Sequence, residues 1–317
     1  MVDRFDATWL SPASDGASAS GAESVVVWAD VTEPTEADAA AMRDQFGLHE
    51  LAVDAAVQRE TNPKVESYGK YLYVVLHGIN FDADEHKFET SETDFFLSPR
   101  FLVTVHDGQR RSIAHITELC VRTDHILAEG AIALFHRIVD TMVDHYRPEV
   151  DELEARLDVI EDRVIENTAE STVGDILAIK RDITMLRRIL VPQRDAVGRL
   201  ARREFDIINQ EMAYRFRDVY DQFARMADDG LMFHDRVTGI LDAHLASVSN
   251  RLADVSKVLA VIATLFGPMT VITGLFGMNV PLPTWLGRPE YQFWEIVAVM
   301  VLSSAGLFVW FRKSGWW

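Results

Sequence analysis

Along the last sixty residues of the chain the mixing of polar and apolar positions stops. From Val258 to Gly287 there is no charged residue, and a second apolar run, Phe293 to Phe311, follows and is closed by Arg312 and Lys313. A hydrocarbon core about 30 Å thick takes roughly 20 apolar residues of helix. Both runs meet that length. They predict a first transmembrane helix over 258–279, a short extracytoplasmic loop over 280–292, a second transmembrane helix over 293–311, and a basic, aromatic C-terminal tail over 312–317.

Upstream the pattern is helical. Val150, Leu153, Leu157, Ile160 and Val164 recur at alternating spacings of three and four, and so do Ile176, Ile179, Ile183, Leu186 and Leu190 after the polar break 167–172. Two heptad stripes joined by a short polar loop predict an antiparallel helical hairpin. Pro192 is expected to kink or end its second arm. A further stripe, Val237, Leu241, Leu245, Val248, Leu252 and Val255, starts in a helix from about Glu211 and reaches Lys257 with no turn signal. It predicts one long stalk helix that continues into the first span, weakened at Gly230 and Gly239 by about 1 kcal/mol each. The whole segment 128–257 is read as this long-helix region.

Before residue 128 the period shortens. Val25 to Trp28, Tyr71 to Ile79, Phe95 to Leu97 and Phe101 to Val105 are apolar or β-branched runs of strand length. Residues 35–46 and 48–58 read as short helices, and Pro99-Arg100 and Asp107-Gly108 as turns. Residues 25–127 are therefore expected to form a small α/β domain. Residues 1–24, rich in Ser, Ala, Gly and Asp, are expected to be a disordered tail. The fold class is an α+β membrane protein.

Charge separates the two parts. Residues 257–317 carry a net of +2 while the whole chain carries −18, so residues 1–256 hold −20. An acidic surface argues against nucleic acid and suits divalent cations; it is equally what plain solubility produces. One cysteine, Cys120, allows no intrachain disulfide and no thiolate metal cluster, which fits a reducing cytosol. No basic segment followed by an apolar one opens the chain, so no signal peptide is expected. Arg251 and Lys257 precede the first span and Arg312 and Lys313 follow the second. With this bias of positive charge, both termini are expected on the cytoplasmic side of the cell (inner) membrane, in a multi-pass arrangement. Trp285, Tyr291, Phe293 and Trp294 at one edge, and Trp310, Trp316 and Trp317 at the other, form the aromatic belts that contact membrane lipid.

Two spans enclose no path through a bilayer; a pore needs several copies around an axis. Gly267, Thr270 and Gly274 share one side of the first span and form a candidate pore face. Small residues at such spacing also let membrane helices pack closely, and periodicity by itself favours packing. Asn279 ends the span. A ring of its amide oxygens could accept hydrogen bonds from the water around Mg²⁺, an ion that dehydrates reluctantly, although Asn at a helix end is also an ordinary cap.

The surrounding residues narrow these alternatives. Val258-Leu259-Ala260-Val261-Ile262-Ala263-Thr264-Leu265-Phe266-Gly267-Pro268-Met269-Thr270, with Gly274-Leu275-Phe276-Gly277-Met278-Asn279, resembles the signature of the CorA family of magnesium and cobalt transport proteins. The resemblance extends through Phe216-Arg217-Asp218-Val219-Tyr220-Asp221, Leu241-Asp242 and Ser247-Val248-Ser249-Asn250 to Lys313 and Trp316-Trp317. It implies a funnel-shaped homopentamer in which the first spans line the pore and the second surround them. It implies a selectivity filter of Gly277, Met278 and Asn279, a polar pore ring at Thr270, and a hydrophobic constriction at Leu259. It also implies regulatory Mg²⁺ between subunits at Asp218, with Asp82 (or its neighbour Asp84) as the partner carboxylate, and Asp242 as a second interface carboxylate. Gly267 and Ser256 depart from the bulky apolar residues that relatives often place toward the pore, so the constriction would be wider or rest on Leu259 and Leu252. The loop after Asn279 also lacks the usual Met-Pro-Glu-Leu.

The resemblance implies influx of Mg²⁺, with Co²⁺ or Ni²⁺ as further cargo, driven by membrane potential and closed by cytosolic Mg²⁺. A proton-coupled Zn²⁺ transporter of the same superfamily keeps the architecture and changes the ion; the ten histidines are scattered without paired ligand spacing. A membrane-anchored coiled-coil sensor or scaffold explains heptads and spans but leaves Asn279 without a task. No catalytic motif or nucleotide-binding loop stands out, so an enzyme is not expected.

Overall fold

The computed structural model describes residues 26–59, 62–82, 87–123, 125–166, 172–278 and 291–315. The expectations for residues 1–24, for Asp84, for Asn279 and for most of the loop after it lie outside that set. The chain divides into two compact units, residues 1–240 and 241–317.

The first unit is built on a five-stranded sheet of order β1-β5-β4-β3-β2, from β1 (Val27–Thr32), β2 (Lys64–Ser67), β3 (Leu72–Asp82), β4 (Lys87–Leu97) and β5 (Phe101–His106). β1 runs parallel to β5, and the other pairings are antiparallel. Alternation along the strands gives the sheet two apolar faces. Tyr73, Val75, Phe96, Val103 and Val105 pack on Ala39, Met42, Val53 and Ala56 of α1 (Glu36–Phe46) and α2 (Glu50–Gln58). Val74, Leu76, Phe95, Leu97 and Leu102, all fully buried, line the other face. There the Phe95 ring meets Phe135 edge-on at 5.1 Å. Thr35 and Asp38 form a reciprocal capping box at the start of α1, and Gly47 closes it in the left-handed conformation.

That second face is covered by α5 (Ala131–Ile165) and α6 (Thr172–Ala201), with α3 (Arg111–Arg122) and α4 (His125–Ala128) alongside. The heptad positions Val150, Leu153, Leu157 and Ile160 of α5, and Ile176, Ile179, Ile183, Leu186 and Leu190 of α6, are buried as expected of a helical hairpin. Arg156 of α5 pairs with the buried Asp182 of α6 at 3.0 Å. α6 does not end at Pro192. It runs to Ala201, because the next turns hold the buried Gln193, Ala196, Val197 and Leu200 against the domain, and that packing outweighs the roughly 3 kcal/mol cost of a helical proline.

α7 extends from Gln210 to Phe276, 67 residues without a break, and α8 from Gln292 to Lys313. At 1.5 Å per residue α7 is about 100 Å long and α8 about 33 Å. Both carry a segment long and apolar enough to cross a bilayer. Within the first unit, Phe216, Phe223 and Phe233 of α7 are fully buried, with Phe135 and Tyr146 of α5 packed on the first two.

Candidate functional site

The candidate pore residues lie in the second unit, on α7. From Lys257 on, its less exposed positions are Lys257, Val261, Leu265, Pro268, Met269, Ile272 and Phe276, most of them three or four apart. α8 has a matching stripe in Ile296, Val297, Met300, Ser303, Ser304, Leu307 and Phe311. Val261 and Phe311 are buried, and Lys257 Nζ donates to Gly315 O just beyond α8. These are the surfaces that the two helices turn to each other. Ser256, Leu259, Gly267, Thr270 and Gly274 are all exposed, on the side of α7 roughly half a turn away.

On that exposed side the polar atoms are arranged to accept. Thr270 Oγ1 donates to Phe266 O at 2.9 Å, so its remaining lone pairs are free for the hydrogens of a water shell. Leu259 is the large apolar side chain of the face. At the end of α7, Gly277 N donates to Thr273 O at 2.8 Å, and a Cβ on Gly277 would sit 2.9 Å from that same oxygen. The close turn that leads into Met278 therefore requires glycine at this position. Met278 is exposed.

Of the candidate regulatory carboxylates, Asp218 belongs to the first unit and Asp242 to the second. Asp218, on the exposed side of α7, accepts from Gln222 Nε2 at 3.1 Å. Asp242, in the second unit, is exposed. Asp82 ends β3 opposite Lys87, and its side chain is outside the described residues. Among the described residues no group of three or more His, Cys, Asp or Glu is placed to hold a metal ion.

The structure adds one residue that sequence reasoning missed. Asp140 of α5 is raised above the usual carboxylate range, first by burial; His136 opposes that, and the neighbouring charges of Asp144 and Asp218 add to it. Asp218 therefore stands close enough to this part of α5 for its charge to be felt there, alongside the opposing charges of His136 and Arg137. Nothing in the sequence singles out Asp140 or Asp144. Only the packing of α7 on α5 brings Asp218 to them.

Comparison with known proteins places these features in a family. The family model described as CorA-like Mg²⁺ transporter protein matches residues 23–313. The cobalt/magnesium transport protein CorA of Thermotoga maritima is 31% identical over 278 residues, covering 86% of this chain and 77% of its own. The YfjQ protein of Bacillus subtilis (strain 168) is 28% identical over 292 residues, covering 91% and 89%. The complete structure of the CorA magnesium transporter from Methanocaldococcus jannaschii has the same fold, with a TM-score of 0.80 at 21% identity over 92% of each chain. The family is one of membrane ion transporters rather than enzymes. With its α/β domain, helical hairpin, unbroken α7 and paired apolar helices, the chain belongs to the CorA family of divalent metal transporters.

Proposed function

We propose that the chain forms a homopentameric Mg²⁺ channel, which also takes Co²⁺ or Ni²⁺, with both termini in the cytoplasm. Five copies of α7 line the pore and five of α8 surround them. Gly277, Met278 and Asn279 form the outer filter, where amide oxygens accept from the ion's hydration water rather than replace it. Thr270 supplies a second ring of acceptors. Gly267, Gly274 and Ser256 leave room for a hydrated ion, and Leu259 narrows the path on the cytoplasmic side. An inside-negative potential contributes about 2.3 kcal/mol per charge per 100 mV, about 4.6 for a dication, so influx needs no other energy source.

The observation that carries this reading is the division of α7 into two faces. The residues that the family resemblance assigns to the pore are turned away from α8 and left exposed in the single chain. A scaffold of the same outline would have no use for a face of hydroxyl, glycine and one leucine beside a Gly-Met-Asn end.

Regulation follows from the carboxylates. Mg²⁺ bridging Asp218 to a carboxylate of the next subunit, with Asp82 as the assigned partner, holds the closed state; Asp242 gives a second such contact. When cytosolic Mg²⁺ falls, the acidic surfaces repel and the closed state loses its advantage. The ion shifts that equilibrium only by its preference for the closed form. The test is Mg²⁺ uptake into proteoliposomes with Mg²⁺ varied on the cytoplasmic side. Wild type is expected to close as that concentration rises, and Asp218→Ala to stay open. Identical inhibition curves would remove the site.

A further inference from the structure

A second site of opposite sign lies on the first unit. Gly78 and Ile79 of β3, Ser91 and Thr93 of β4, Gln109 to Ser112 at the start of α3, and Met142 and His145 of α5 surround a cavity of about 30 Å³. A single water needs only about 10–15 Å³ on such a measure, so the space suits something larger. Its walls are donors. α3 begins at Arg111 with no side-chain cap on its first turn, so its amide N–H groups are free to donate at this end. Thr93 is 2% exposed and Ser112 8% exposed. Neither hydroxyl has a hydrogen-bond partner among the described residues, and both residues line the cavity.

Arg110 is the cation of the site. Its Nε is buried without a partner among the described residues, and its Nη2 donates to Glu92 O at a long 3.5 Å. Burial holds Arg110 below the usual arginine range, and Arg59 pushes the same way. Arg111, by contrast, is answered by Glu149 at 3.5 Å. A Cβ on Gly78 would sit 2.8 Å from Ser91 Oγ. A guanidinium, the first amides of a helix and several short hydroxyls suit a tetrahedral oxyanion with acceptors on every side.

We infer that this cavity between the sheet, α3 and α5 is a binding site for a phosphate group. It stands inside a region of net charge −20, so a local cationic pocket there is not a by-product of a basic surface.

The test uses the full-length protein in nanodiscs, with inorganic phosphate titrated against chloride at matched ionic strength. Calorimetry and the thermal unfolding midpoint are the readouts. Wild type is expected to show saturable phosphate binding and a matching rise in the midpoint. Losing a charge-assisted contact should weaken binding about tenfold in Arg110→Gln. Thr93→Val, which keeps the shape and removes the hydroxyl, should weaken it by less and guards against a folding defect in the first variant. ATP in a parallel run separates the sources. Tighter binding of ATP that is equally lost in the variants assigns the site to the terminal phosphate of a nucleotide, and binding of phosphate alone assigns it to the free ion. No saturable binding of either, or affinities unchanged in both variants, would overturn the inference.

Discussion

Asp94 sits in the middle of β4 with almost no exposure, and the Tyr73 phenol donates to its Oδ1 at 2.6 Å. Burial lifts its pKa from the ordinary 3.8 to about 8, against the opposing pull of the Tyr73 hydrogen bond. A carboxyl raised in the folded state contributes stability that is complete below its unfolded value and is lost as pH climbs through its folded value. Stability of the protein should therefore fall between about pH 4 and pH 8 by the proton that unfolding releases. Asp94→Asn should flatten that slope in denaturant titrations of the detergent-solubilised chain. An unchanged slope would mean that Asp94 is ionised in the folded state. Gly277 illustrates a different constraint. The 2.9 Å approach of its absent Cβ to Thr273 O gives the glycine of the Gly-Met-Asn end a backbone reason, separate from any contact with an ion.

At the level of elements, one buried polar network joins three of them. His77 N donates to Gln193 Oε1 at 2.8 Å, Gln193 Nε2 donates to Tyr146 Oη at 2.8 Å, and Tyr146 Oη donates to His77 O at 2.6 Å. β3, α5 and α6 are thereby fixed in register, and α6 is carried past Pro192. Gln193→Leu would leave a buried N–H and a buried phenol short of partners. The expected loss is about 2 kcal/mol of unfolding free energy, read from denaturant midpoints; a change within about 0.5 kcal/mol would mean the network is incidental. This network was invisible in the sequence, where Pro192 read as a kink or an end of the second arm. The long helices were legible because their apolar stripes hold period over many turns. β4 was legible only at Phe95-Phe96-Leu97, since Lys87 to Asp94 has no apolar alternation and becomes a strand by pairing with β3 along its whole length. β1 lies two residues later than the run Val25 to Trp28, paired in parallel with β5. β2, four residues at the edge, was not read from the sequence, and neither was α3, although its Ile113, Ile116 and Leu119 recur three apart. The candidate pore-face residues were named through the family signature. Asp140 was not, because its role depends on which helix packs beside it.

Across the whole molecule the charge is segregated: −20 over residues 1–256 and +2 over the segment that carries both spans. Such a distribution concentrates cations near the acidic part, while the run from Val258 to Gly287 carries no charge. We propose that the neutral amide of Asn279 selects the ion. The most direct test is uptake of Mg²⁺ into proteoliposomes of the purified chain under an inside-negative potential, with Asn279→Ala alongside, and with Zn²⁺ tried with and without a proton gradient. Potential-driven Mg²⁺ uptake that is lost in Asn279→Ala is the expected result. Zn²⁺ uptake that requires the proton gradient, with no Mg²⁺ uptake, or Mg²⁺ uptake indifferent to Asn279, would contradict it.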